Sequence, residues 1–155
     1  MYIDRNHVAH HQLTKAAALS LLSTGEEVEF FTGLNLMLAF NEGASLGMFS
    51  DVMAGKPLLM ATLAGALTLI LAVMAFRAHH RFERTGFALI LGGALGNVVD
   101  RLRQGAVTDF LDLAWRDWRF PTFNGADIVI TLGALCFLFT SFASHRREDS
   151  GVGQS

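Results

Sequence analysis

Residues 92–113 read GGALGNVVDRLRQGAVTDFLDL, a glycine-rich apolar run that passes directly into three carboxylates, Asp100, Asp109 and Asp112. The apolar part begins at Thr85 and ends at Val99. As a helix it would be about 22 Å long at 1.5 Å per residue, short of the roughly 30 Å hydrocarbon core of a bilayer. A helix continuing through its polar neighbours draws Asn97 and Asp100 toward membrane depth. Gly93, Asn97 and Asp100 fall at i, i+4 and i+7 on one face, and Gly92 with Gly96 forms a small-xxx-small pair suited to close helix approach.

The surrounding chain fits a bilayer as solvent. Of 155 residues, 52% are hydrophobic and 17% charged, too apolar a balance for an ordinary soluble domain of this size. Residues 57–76, PLLMATLAGALTLILAVMAF, contain no charge and are long enough to cross. Residues 123–143, FNGADIVITLGALCFLFTSFA, form a second span whose polar start, Asn124 and Asp127, should face protein or water. Residues 26–40, EEVEFFTGLNLMLAF, alternate in part and break at Thr32-Gly33, which predicts strands at the membrane surface, followed by a glycine-bearing turn, NEGASLGMFS, at 41–50. Residues 114–120, AWRDWRF, read as a loop with Trp115 and Trp118 at interfacial depth. The expected architecture is a mainly α membrane protein with three clear transmembrane helices and a small β-rich surface segment over 26–50. It forms a single membrane-embedded domain over 1–147, with a flexible tail over 148–155.

Positive charge orients the chain. Arg77, Arg81 and Arg84 lie between the first two spans and Arg146 and Arg147 follow the last, so both regions are expected in the cytoplasm. Arg101, Arg103, Arg116 and Arg119 fall on the opposite side, where nearby acids can hold them. The net charge of −2 and the scattered basic residues give no nucleic-acid footprint. The single cysteine, Cys136, excludes an internal disulfide and reads as a small apolar packing residue. His7, His10 and His11 have no carboxylate or cysteine completing a metal set.

Two phrases place an amide one helical turn before an acid: NVVD, from Asn97 to Asp100, and NGAD, from Asn124 to Asp127; Asp109 lies between them, expected on a loop. Two carboxylates within hydrogen-bonding reach in a low-dielectric pocket cannot both ionise freely, so one holds a proton while the other draws a proton from water. The same residues also admit a structural account, in which Asp100 pairs with Arg101 or Arg103 and Asp127 caps a helix N-terminus.

The phrases GGALGNVVDRLRQGAVTDFLDL and FNGADIVITLG, preceded by NEGASLGMFS, resemble the lipoprotein signal peptidases, or signal peptidase II, over roughly residues 12–142. The resemblance implies an intramembrane aspartic endopeptidase of the bacterial inner membrane, with its active site toward the outer face. It would cut diacylglyceryl-modified prolipoproteins just before the lipidated cysteine, with no metal or organic cofactor. On matching positions it implies Asp109 and Asp127 as the catalytic pair, Asn41, Asn97, Asp100, Arg101 and Asn124 as supporting or substrate-binding residues, and Asp112 as structural. Membrane lipid is the surrounding partner; oligomeric state is left open.

The family has four transmembrane helices, the first ending near a DQLTK-like phrase. Here that phrase is HHQLTK, with too few residues before it for a span. Residues 1–22 therefore read as a shortened remnant of that helix. Asp4, Arg5, His7, His10, His11 and Lys15 oppose burial in lipid, so only residues 16–22 are expected to pack on the bundle. The alternative function is a noncatalytic or truncated paralogue that binds lipidated membrane proteins. A proton-relaying transporter through Asp100 or Asp127 is weaker for want of an inverted repeat, and a serine peptidase weaker still for want of a nucleophile motif.

Overall fold

The computed structural model describes residues 5–43, 55–78 and 80–151. Helix α1 spans Arg5–Leu21, followed by strands β1, Glu27–Phe31, and β2, Leu34–Asn41. Helix α2 spans Pro57–Arg77 and α3 spans Arg81–Gln104. Strands β3, Val107–Trp115, and β4, Trp118–Arg119, precede helix α4, Gly125–Gly151. Helix α4 ends at Gly151, within the span 148–155; most of the NEGASLGMFS turn lies outside the described residues.

Local chemistry sets the boundaries. Pro57 opens α2, a position where its missing N–H costs nothing. Gly105 ends α3 in the left-handed conformation, φ 83°, its N–H bonded to the Arg101 carbonyl at 3.0 Å. The chain leaves that cap directly as β3. Asp109 is thus on a strand and not on a loop, because VTDFLDLAW finds an antiparallel partner in LNLMLAFN, with Ala39 opposite Asp109 and Asn35 opposite Asp112. The expected loop over 114–120 is likewise partly strand: Trp115 pairs with Trp118 around a two-residue turn in which Arg116 takes a positive φ of 54°. The expected strands on either side of Thr32-Gly33 are present and pair as an antiparallel hairpin, and the sheet order is β1-β2-β3-β4.

Among the described residues, one helix, Pro57–Arg77, is long and apolar enough to cross a membrane, with a mean hydropathy of 2.4. Helix α3 carries charges at both ends, and α4 is apolar only over Gly125–Thr140. Leu58, Leu63, Leu67, Leu69 and Ile70 on α2 and Leu132, Leu135 and Phe139 on α4 are exposed, whereas Ala75, Phe87 and Leu91 form the buried centre.

Helices α3 and α4 cross at glycine. A Cβ on Gly133 would stand 2.6 Å from the Gly86 carbonyl oxygen, and one on Gly93 would stand 2.6 Å from that of Ala126. The close approach is therefore built on Gly86, Gly93 and Gly133. Of the Gly92/Gly96 pair singled out in the sequence, Gly96 admits a different helix, with His11 of α1 packed against it. Gly133→Ala should lower the thermal midpoint in detergent by the equivalent of about 1–3 kcal/mol, an overpacking cost. Gly65→Ala on α2, where a Cβ meets nothing within 4 Å, should leave it unchanged or slightly raised; equal effects at both positions would contradict the crossing.

Candidate active site

The acids gather at one end of the α3–α4 pair, because α3 ends where α4 begins. A single backbone bridge makes the juxtaposition tight: Phe123 N donates to the Leu111 carbonyl at 3.0 Å, and the N–H groups of Phe110 and Leu111 donate back to Phe123 O at 3.0 and 2.9 Å. This ties the start of α4 to β3 and sets Asn124 beside Asp109.

Asn124, fully enclosed, then serves four partners. Its Oδ1 accepts the Ala126 N–H at 2.7 Å, capping α4, while its own N–H donates to Asp127 Oδ2 at 3.0 Å. This is a reciprocal capping box. Its Nδ2 donates to Asp109 Oδ1 at 2.7 Å and to Asn97 Oδ1 at 3.4 Å. One residue thus bonds both acids. The second oxygen of Asp109 accepts from Asn41 Nδ2 at 3.1 Å, and Asp127 Oδ1 accepts from Asn97 Nδ2 at 3.0 Å. The expected helix cap at Asp127 is present, and the same carboxylate also faces Asn97.

Asp100 departs from its expected pairing. Its partner is Lys15, at 2.7 Å, rather than Arg101 or Arg103. It also accepts from Gln12 Nε2 at 2.9 Å and from the backbone N–H of Thr108 at 3.1 Å. Arg101 instead donates to the Gly43 carbonyl at 2.6 Å and to its own helix at Asn97 O, 3.4 Å, so it secures the chain after β2. Its Nε is buried without a hydrogen-bond partner among the described residues. Asp112 lies apart: Asn35 Nδ2 donates to it at 3.2 Å and Arg119 stands 3.4 Å away, linked in turn to Glu27 at 2.7 Å.

Lys15 and Gln12 escaped the sequence reading. They also correct the expectation that α1 packs only over 16–22: the helix docks from His11 onward, with Gln12 reaching Gly96 O at 3.1 Å. The available signal was a lysine at the edge of an apolar run in a chain rich in apolar segments, which needs a carboxylate partner when buried.

Electrostatics separates the acids. Asp109 is 1% exposed, and burial pushes its carboxyl up to about 6; the negative charge of Asp127 adds to the rise, while the bonds from Asn124 and Asn41 and the charge of Lys15 oppose it. Asp127 is half-buried in the first turn of α4. A carboxyl that keeps its proton up to about pH 6 beside a second acid can give and take protons around one water or one carbonyl group.

Comparison with known proteins gives a consistent set. A family model described as Signal peptidase (SPase) II matches residues 7–143. A curated protein named lipoprotein signal peptidase from Yersinia pseudotuberculosis is 41% identical over 127 residues, 81% of this chain and 75% of that protein. One of the same name from Burkholderia multivorans is 40% identical over 129 residues, 83% of this chain and 78% of that protein. Two solved structures described as bacterial membrane enzymes superpose with TM-scores of 0.76 and 0.74, at 27% and 28% identity, covering 92% and 89% of this chain and 87% and 88% of theirs.

The raised Asp109 carboxyl makes a stability prediction. A carboxyl whose folded-state pKa lies above its unfolded value binds protons more readily in the fold. Its contribution is fully present below about pH 4 and is lost as pH rises through about 6. Relative to wild type, Asp109→Asn should therefore gain stability between pH 4.5 and 7.5, by up to on the order of 2–3 kcal/mol. Thermal midpoints of both proteins across that range measure it; a constant difference would show that Asp109 titrates as an ordinary carboxylate.

Proposed function

The chain belongs to the signal peptidase II family, and from that premise we propose that it is an aspartic endopeptidase whose catalytic pair is Asp109 and Asp127. The observation that carries this reading is the shared partner: Asn124 donates to Asp109 Oδ1 at 2.7 Å from its side chain and to Asp127 Oδ2 at 3.0 Å from its backbone. Asp109, enclosed and raised to about 6, holds the proton. Asp127, half-buried at a helix N-terminus where N–H groups favour negative charge, is the base.

In the proposed reaction, a water between the two carboxyls gives a proton to Asp127 as its oxygen attacks the carbonyl carbon, and Asp109 donates its proton to the carbonyl oxygen. Collapse of the resulting gem-diol returns a proton to Asp109 and breaks the C–N bond. The Asp127 proton leaves on the departing amine. The substrate is a prolipoprotein modified with diacylglycerol, cut just before the lipidated cysteine. Asn41, Asn97, Asp100, Arg101 and Asn124 orient the pair or line the way to it.

The proposed setting is the bacterial inner membrane, crossed by α2, α3 and α4, with Arg77, Arg81 and Arg84 in the cytoplasm and the acids toward the outer face. Its support is the apolar surface that α2 and α4 turn outward. A further support is the rise of α3, about 20 Å between Arg84 and Asn97, which separates the arginines from the site. Phe30, Phe31, Trp115 and Trp118 are exposed on the sheet, an aromatic rim suited to headgroup depth. Acyl chains can then stay in lipid while the peptide bond meets water.

The test is cleavage of a diacylglyceryl-modified prolipoprotein by the membrane-embedded chain. Asp109→Asn and Asp127→Asn should each lose about 10²–10⁴ in rate, the usual scale of acid–base participation. Asp112→Asn, whose hydrogen bonds stay within the sheet, should remain within about tenfold of wild type. Wild-type activity in either of the first two variants would remove the pair from the mechanism.

A further inference from the structure

Lys15 is buried, its side chain 3% exposed, and its ammonium lies 2.7 Å from Asn97 Oδ1 and 2.7 Å from Asp100 Oδ2. We propose that Lys15 is a positioning residue that aims the Asn97 amide at Asp127, anchors β3 at Asp109, and supplies the positive charge that lets the acid pair give up one of its two protons. The proposal rests on the catalytic reading of Asp109 and Asp127.

Each part follows from donor and acceptor chemistry. An ammonium only donates, so the Asn97 atom facing it has to be the oxygen, and Nδ2 is thereby turned to Asp127 Oδ1 at 3.0 Å. In a flipped amide the oxygen would confront the carboxylate. The other arm runs through Asp100, whose Oδ2 is shared between Lys15 and the backbone N–H of Thr108, the residue preceding Asp109. One cation on α1 thus holds the acid of α4 through Asn97 and the acid of β3 through Asp100.

The charge count reinforces the geometry. Asp100, Asp109 and Asp127 converge with two buried cations, Lys15 and Arg101, so the cluster is neutral when the proposed pair carries a single proton. Among the described residues, other ionisable groups nearby include His11, one turn earlier on α1, with Nδ1 3.6 Å from where a Gly125 Cβ would stand, and Arg103, exposed at a cavity it shares with Lys15, Asp100 and Gln104. Strand β2 contributes the uncharged Asn41. Solvent screens Arg103 far more than Lys15, leaving Lys15 to balance Asp100.

The experiment measures kcat and KM against pH for the full chain in lipid, with a diacylglyceryl-modified prolipoprotein, in wild type, Lys15→Met, Lys15→Arg and the double variant Lys15→Met/Asp100→Asn. Asp109→Asn and Asp127→Asn are run beside them: their inactivity secures the pair independently of Lys15, and wild-type cleavage by either overturns both readings. Lys15→Met should lose about 10²-fold in kcat, the scale of misplaced catalytic groups, with KM little changed. Its kcat/KM profile should move up by about one pH unit as a nearby positive charge is lost. Lys15→Arg should restore the wild-type profile, and so should the double variant, in which the charge and its counter-charge are removed together. A fall in kcat with an unmoved profile in Lys15→Met would make the lysine merely structural. If Lys15→Met does not accumulate, the other two decide: wild-type profiles in both, with kcat lowered only in the double variant, support the proposal, and a displaced profile in either, or an undiminished kcat in the double variant, overturns it.

Discussion

Three carboxylates, Asp100, Asp109 and Asp127, are withdrawn wholly or partly from water at one end of a helix pair. An isolated buried carboxylate costs several kcal/mol even after relaxation, and the chain brings a donor to both oxygens of each of these three acids. Lys15, Gln12 and the Thr108 N–H serve Asp100; Asn41 and Asn124 serve Asp109; Asn97 and the Asn124 N–H serve Asp127. These donors come from α1, β2, α3, β3 and the start of α4. Satisfying the acids is therefore the same task as assembling the fold.

The tight elements of the scaffold follow from that task. Asn97 on α3 can reach Asp127 on α4 only if the helices approach closely, which Gly93 against the Ala126 carbonyl permits. Asn124 can reach Asp109 only because the Leu111–Phe123 bridge presses the start of α4 onto β3. A two-residue shift at either place would leave an enclosed carboxylate oxygen without its donor, a loss of about 1–3 kcal/mol or more for a charged group. The apolar helix surfaces elsewhere tolerate much more, since their packing is not directional.

Much of this was legible in the sequence. Hydrophobic run lengths located α2, α3 and α4, the break at Thr32-Gly33 located the first hairpin, and the acid and amide phrases located Asn97, Asp100, Asp109, Asn124 and Asp127. What escaped depends on contacts far apart in the chain. The strand around Asp109 was hidden because its alternation is interrupted by acids, and it exists through pairing with β2, some seventy positions earlier. Lys15 looked like an obstacle to burial, since a lone lysine is one; its carboxylate partner is 85 positions away. The glycines of the crossing were half legible: Gly93 was on the expected face, but choosing Gly86 over Gly96 requires the position of Gly133.

The arrangement also explains why a raised carboxyl can persist. Asp109 is enclosed to 1% exposure and keeps a proton up to about 6, so at neutral pH it opposes folding while its neighbours favour it. Strained or costly groups survive where the surrounding structure over-determines them. Here two amides grip the carboxylate, one strand pairs beside it, and a buried lysine on another helix balances the next acid along α3. Burial lifts the carboxyl, and the amides and the lysine limit that lift while fixing where the carboxylate sits. The proposed chemistry requires a proton held in place beside a carboxylate that lacks one, a difference that a rigid, donor-rich enclosure maintains.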